Sequence, residues 1–270
     1  MDTGTPLYGD RGDQESRSAG LLKAVAQILG PDGQVTGAGF LVAEGVLMTC
    51  AHVIHAAGAG AGDRVRLAFP HVNGEPEAEG LVLGEVWRGP EDADVAVVRL
   101  NASNDVTVGV VPLALSSAAG SQGHQVHSFG FPAHAPLGGH FGHGKASELL
   151  PAVEGRGAHL QLTAANDLTT GFSGGPVVDE VTGLVIGMLT EITAPDEHER
   201  GQNIAYVTPT EVLREVWPQL TEQDICPYRG LESFTAEHAQ WFEGRKGAVE
   251  QVLANLAMQQ RVTLLLGPSG

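Results

Sequence analysis

Twelve short apolar segments, divided by glycine- and proline-rich turns, are what most constrain the fold of this chain. The first six occupy residues 23–29, 37–42, 45–49, 64–69, 81–87 and 95–100. The second six occupy residues 126–130, 144–149, 159–163, 175–178, 184–189 and 203–207. Segments this short, with no helical pattern alternating between them, argue against a parallel βαβ sheet and for antiparallel β-structure. A connection of polar and small residues, 101–122, separates the two sets. The expected fold is therefore all-β, with two six-stranded antiparallel barrels. The 37 glycines and 15 prolines supply the turns such a fold needs.

The flanks read differently. Residues 1–18 are polar and lack periodicity, the mark of a disordered tail rather than a signal peptide or membrane anchor. The Arg11-Gly12-Asp13 triplet within them is read as part of that tail. Residues 210–217 read as a closing helix capped by Thr208 or Thr210. From residue 222 the character changes to a loop, two short helical patterns and an apolar run that ends in Gly267-Pro268-Ser269-Gly270. The expected domains are a tail (1–18), a first barrel (19–122), a second barrel with its closing helix (123–221) and a small helical extension (222–270). The net charge of -17 speaks against nucleic acid or an anionic membrane as main partner, since both recruit basic surfaces. No apolar stretch reaches the roughly 18 residues of a membrane span. The two cysteines, Cys50 and Cys226, lie far apart and read as reduced thiols, Cys50 as a small core residue. The cytoplasm is the expected compartment.

Three segments carry chemistry. Thr49-Cys50-Ala51-His52-Val53-Ile54 places a histidine at the close of an apolar strand. Asp94 directly precedes the apolar run at 95–100, with Asp92 a near alternative. Ser173 sits among glycines in Thr170-Gly171-Phe172-Ser173-Gly174-Gly175-Pro176. A serine hydroxyl is a weak nucleophile at neutral pH; it needs an imidazole to take its proton and a carboxylate to orient that imidazole. The order here is His, Asp, Ser, with gaps of about 40 and about 80 residues. Gly171 to Gly175 also fits the nucleophile elbow of α/β-hydrolases. That fold would require Asp196, His198 or His238 downstream and βα alternation upstream, and the alternation is missing. The glycine loop at 55–63 lacks the strand–loop–helix context of a phosphate cradle. His124, His127, His134, His140 and His143 lie close in sequence without a Glu or Cys partner set, so no metal and no cofactor are expected. Asn101-Ala102-Ser103 matches a glycosylation acceptor, which a cytoplasmic chain would not use.

On these three segments, residues from about 20 to 218 resemble the trypsin-like (chymotrypsin-fold) serine proteases, particularly the compact bacterial kind without disulfides. The resemblance implies that His52 and Asp94 come from the first barrel and Ser173 from the second, meeting in the cleft between them. It implies Ser173 as nucleophile, His52 as general base and then acid, and Asp94 as orienting carboxylate. The N–H groups of Gly171 and Ser173 would form the oxyanion hole. The hydroxyl of Thr190 would steady the aspartate, and Thr190 and Glu191 would pair with the substrate backbone as an added strand. Asp167 matches the base of the specificity pocket and would favour Arg or Lys. The wall Asn203-Ile204-Ala205-Tyr206, however, lacks the glycine that admits a long side chain. Phe172 stands where secreted relatives carry an aspartate that pairs with a freed N-terminus. Activation by N-terminal trimming is therefore not expected, and contacts with other domains or protomers would switch the oxyanion loop.

The last segment resembles the entrance of a STAND-class NTPase. It carries Cys226-Pro227-Tyr228-Arg229-Gly230-Leu231, then Phe242-Glu243-Gly244-Arg245, then Gly267 to Gly270 as the first four residues of a phosphate loop. The Lys and Ser of that loop are not among them, and Glu243 stands where an aromatic is common. The two resemblances together imply a serine endopeptidase acting on a protein or peptide substrate. It would be the effector of a bacterial immune or cell-death protein that oligomerises through its NTPase region. The rival readings are a protease fold that holds peptides without cutting them and a constitutive quality-control protease.

Overall fold

Val25–Leu29 (β1) and Val35–Ala43 (β2) pair antiparallel across the turn at Gly30 to Gln34, with Val25 opposite Phe40. They open a computed structural model that describes residues 18–101, 109–133, 138–152, 157–192, 203–221 and 254–255. The chain divides into two units, Met1–Asp224 and Ile225–Gly270. In the second unit the described residues, Ala254 and Asn255, are helical.

The first unit holds both barrels. Val46–Thr49 (β3), Arg64–Ala68 (β4), Glu77–Val82 (β5) and Ala96–Leu100 (β6) complete the first, in the closed order β1-β2-β3-β6-β5-β4. The second is formed by Gln125–Gly130 (β7), His140–Leu150 (β8), His159–Thr163 (β9), Pro176–Asp179 (β10), Val185–Ile192 (β11) and Ala205–Pro209 (β12). Its closed order is β10-β11-β12-β9-β8-β7. All pairings between these strands are antiparallel, as the short segments without intervening helices anticipate.

Each barrel is filled from its inward positions. Ile28, Phe40, Leu47 and Leu67 are buried in the first, and Leu160, Leu162, Val177 and Ile186 in the second. The first apolar cluster continues beyond its own barrel to Met188 of β11 and to Val212, Leu213 and Val216 of the closing helix, so one apolar layer joins the barrels. Each fully buried aliphatic side chain contributes roughly 1.5–3 kcal/mol. A polar knot sits in the second barrel. The fully buried Asp179 carboxylate accepts from Ser121 Oγ at 2.8 Å and the Val181 N–H at 2.8 Å, and meets His124 Nδ1 at 2.7 Å.

Two strands depart from the sequence expectation for one reason. The segment expected at 81–87 is instead β5, Glu77–Val82, followed by a 3-10 turn at Gly84–Val86. The inward residues of β5 are Ala78, Gly80 and Val82, and a Cβ at Gly80 would collide with Val98. Likewise β8 begins at His140 because its inward face is Gly142, Gly144 and Ala146, with Gly142 lying against Leu168 and Phe172. Small inward residues give an apolar pattern too faint to read, yet they let the opposite wall come close. Gly80→Val is accordingly expected to lower unfolding free energy by about 1–3 kcal/mol in urea titration, through overpacking against Val98.

Three local expectations need correction. Residues 18–24 are helical, so the first strand starts at Val25 rather than at 23. His52 does not close a strand: β3 ends at Thr49, Cys50 is an extended N-cap, and Ala51–Ala56 form a short helix, α1. In six residues, burial of Ala51, Val53 and Ile54 cannot separate helix from strand by periodicity. The closing helix, α2, spans Thr210–Val216, but its N-cap is Pro209, without a side-chain cap bond. Thr208 and Thr210 turn elsewhere, Thr208 to Thr190 and Thr210 to the Val185 carbonyl. Among the described residues, no helix is long and apolar enough to cross a membrane.

Candidate active site

Asp94 lies in the turn before β6 with a φ of 53°, a left-handed conformation that aspartate tolerates better than most residues. That turn aims its carboxylate at the start of α1. The His52 N–H donates to Oδ1 at 2.8 Å, and His52 Nδ1 lies 2.5 Å from Oδ2. The Ala51 N–H reaches the Asp94 backbone carbonyl at 3.4 Å. Two successive residues of one helical turn thus grip the aspartate. An ionised carboxylate takes only donors, so Nδ1 carries the imidazole proton and Nε2 is left as an acceptor. The Asp94 side chain is 10% exposed and that of His52 38%, so the pair is anchored inside and open outside. Asp92 is not in this arrangement; it lies on the surface, 3.8 Å from Arg88 Nε.

Ser173 lies in a tight turn before β10. Its carbonyl accepts the Ala38 N–H of β2 at 2.9 Å, which pins the turn to the first barrel. Gly37 marks how close that approach is: a Cβ there would meet Val53, the neighbour of His52, at 2.7 Å and the Ser173 carbonyl oxygen at 2.9 Å. Gly174, at φ 82°, has no space for a Cβ beside the Ala38 carbonyl. The structure therefore packs the serine turn of the second barrel against the strand and helix that frame His52. Within the turn the Phe172, Gly174 and Gly175 N–H groups donate to the carbonyls of Thr169, Leu189 and Phe172. Among the described residues, no carbonyl takes the N–H of Gly171 or Ser173. Gly171 has φ 106° and abuts Pro132 and the Phe131 carbonyl, a position that only glycine fits. The Phe172 ring is fully buried between Gly130, Gly142 and Leu168, with the His140 ring tilted against it, centroids 5.3 Å apart.

The remaining expected residues surround this centre. Thr190 is buried on β11; its hydroxyl reaches the Met188 carbonyl at 3.1 Å and Thr208 Oγ1 at 2.7 Å. Thr208 Oγ1 in turn lies 3.5 Å from the Ala93 carbonyl, one residue from Asp94. Glu191 follows at a register shift opposite Tyr206, with its side chain exposed. Asp167 is exposed, and its carboxylate meets His143 Nδ1 at 3.1 Å. Burial acts to raise the Asp167 carboxyl, but hydrogen bonds from His143 and the backbone outweigh it and hold the group below its usual range.

The described histidines of the 124–143 cluster have partners within the protein. His124 meets Asp179, His127 lies 3.6 Å from Glu180, and His134 falls outside the described residues. Asp196, His198, His238 and Cys226 fall outside them as well. One group among the described residues has metal-ligand spacing: donor atoms of Cys50, His52 and Asp94 lie within 4.8 Å of one another. Sequence reasoning read Cys50 as a core residue and missed that its thiol borders the His52–Asp94 pair. Its place two residues before His52 was the available signal.

Comparison with known proteins agrees with the double-barrel fold. The family model of the trypsin-like peptidase domain matches residues 37–188, and that of novel STAND NTPase 1 matches residues 227–270. No curated protein sequence is similar enough to count as a relative. Among solved structures, the chain is similar to the inactive form of the Rv3671c protease of M. tuberculosis H37Rv. That likeness has a TM-score of 0.54 and 18% identity, and covers 82% of this chain and 99% of that one. It is also similar to the HtrA-type protease AlgW with tripeptide, with a TM-score of 0.55, 24% identity, and coverage of 74% and 61%. The serine endoprotease from Yersinia pestis gives a TM-score of 0.55, 20% identity, and coverage of 81% and 68%. The family match spans more than half of the 270 residues, and the closed double barrel matches it: this chain belongs to the trypsin-like peptidase domain family, and a match to novel STAND NTPase 1 follows at residues 227–270.

Proposed function

We propose that the chain is a serine endopeptidase that hydrolyses peptide bonds of a protein substrate through Ser173, His52 and Asp94. The observation that carries this reading is the grip of α1 on Asp94, with His52 Nδ1 at 2.5 Å from a buried carboxylate. In that tautomer Nε2 takes the Ser173 proton as Oγ attacks the scissile carbonyl, then returns it to the leaving amine. Asp94 stabilises the imidazolium formed between these steps. The Gly171 and Ser173 N–H groups, which no carbonyl occupies among the described residues, receive the developing oxyanion. The end of β11 at Thr190 and Glu191, where the Glu191 side chain is exposed, pairs with the substrate backbone. A fluorophosphonate probe should label Ser173 in the unaltered chain and not in Ser173→Ala. Peptide binding without labelling would instead identify a non-cleaving module.

Asp167 is proposed to read a basic side chain on the substrate. On this reading Asp167→Ala lowers kcat/KM at least tenfold for peptides cut after Arg or Lys and leaves cleavage after small apolar residues unchanged. A peptide library profile that does not change on this substitution removes Asp167 from the specificity site.

The STAND match supports a wider setting: a conditional effector in a cytoplasmic bacterial immune or cell-death protein, assembled through its NTPase region. The free, buried Cys50 thiol fits a reducing compartment. Size-exclusion measurement of the protein with and without nucleotide tests the assembly; an unchanging monomer would argue against it.

A further inference from the structure

Cys50 is a buried nucleophilic group that the proposed chemistry does not use. It is fully buried at the N-cap of α1, immediately before the two residues that hold Asp94. On one side, its Sγ lies within 4.8 Å of a ring nitrogen of His52 and a carboxylate oxygen of Asp94. On the other, it lies 3.4 Å from the Leu189 carbonyl of the second barrel. That same carbonyl accepts the Gly174 N–H at 2.8 Å, and the Leu189 N–H returns a bond to the Gly175 carbonyl at 2.9 Å. Gly174 directly follows Ser173. One carbonyl oxygen, with two lone pairs, thus receives a donor from the histidine side and a donor from the serine side. Burial, and then the charge of Asp94, push the thiol well above its usual range, so the sulfur keeps its proton and remains a donor.

We propose that Cys50 is a positioning residue: its S–H bond to the Leu189 carbonyl sets the spacing between the His52–Asp94 pair of the first barrel and the serine turn of the second. The proposal rests on the triad reading above. Proton transfer from Ser173 to His52 is sensitive to sub-ångström placement, so a strut between the two barrels acts on turnover rather than on substrate capture. The thiol suits the position because it combines apolar bulk with a weak donor in a site without room for water-like hydration.

The test uses the full chain with Cys50→Ala and Cys50→Ser, which remove the same sulfur and differ in the donor. Cys50→Ala should lower kcat, and the rate of fluorophosphonate labelling, about tenfold while KM stays within about twofold. Cys50→Ser should recover most of that loss, since its hydroxyl donates to the same carbonyl. Unchanged kcat in Cys50→Ala, or a Cys50→Ser variant as slow as the alanine, overturns the proposal. Should Cys50→Ala not melt cooperatively, the S–H infrared stretch in a Cys226→Ser chain replaces it. A hydrogen-bonded frequency that shifts when Ser173 is phosphonylated supports the strut; the frequency of an unbonded thiol refutes it. Absence of Ser173 labelling in the unaltered chain is a separate result, which removes the triad reading and this proposal with it.

Discussion

Replacing Ser173 by alanine should reduce peptide hydrolysis by roughly a million-fold while leaving the chain folded. Ser173 is held by its backbone, through the Ala38 N–H, and by the glycines on either side of it. Its Oγ is absent from these contacts, so removing it leaves the turn's bonds intact. The loss is in the covalent step alone: without Oγ, His52 has no alcohol to deprotonate, and water must attack unaided. Turnover measured with a quenched fluorogenic peptide, beside an unchanged thermal melting curve, checks both halves of the expectation. Proteolysis that persists in the purified variant would falsify the assignment of the nucleophile.

Asp94→Asn is the second large effect, expected at about 10⁴-fold in kcat at neutral pH. Asparagine tolerates the 53° φ of this turn, and its side-chain carbonyl can still accept the His52 N–H now held by Oδ1. What changes is the atom facing Nδ1. An amide NH₂ there is a donor, so it imposes the tautomer with the proton on Nε2, the wrong edge to act as base. The variant should therefore fold, bind peptide with similar KM and turn over slowly. A loss of less than about tenfold would mean that Asp94 is not what orients the imidazole.

How far the sequence could be read follows from what each residue faces. β2 and β3 were legible because Phe40, Leu41, Leu47 and Met48 are large and buried. β5 and β8 were displaced because their inward faces are mostly alanines and glycines, which leave space for the opposite wall. His52, Asp94 and Ser173 stood out through residue type and order alone. The helical turn that makes His52 and Ala51 grip Asp94 together did not, since six residues carry no distinguishable period. Nor did Cys50 and Leu189 show as neighbours: they lie 139 residues apart, and only closure of both barrels joins them.

The pinning of the Ser173 turn to Ala38 has a consequence for how the protein is made. Each barrel contains only antiparallel pairings, but the site needs one contact between strand β2 and a turn made more than a hundred residues later. Contacts of such long sequence separation carry a larger loop-closure cost and form slowly. On a ribosome, His52 and Asp94 are synthesised well before Ser173. On the proposed triad, a nascent chain therefore carries no working protease until the second half has folded onto the first.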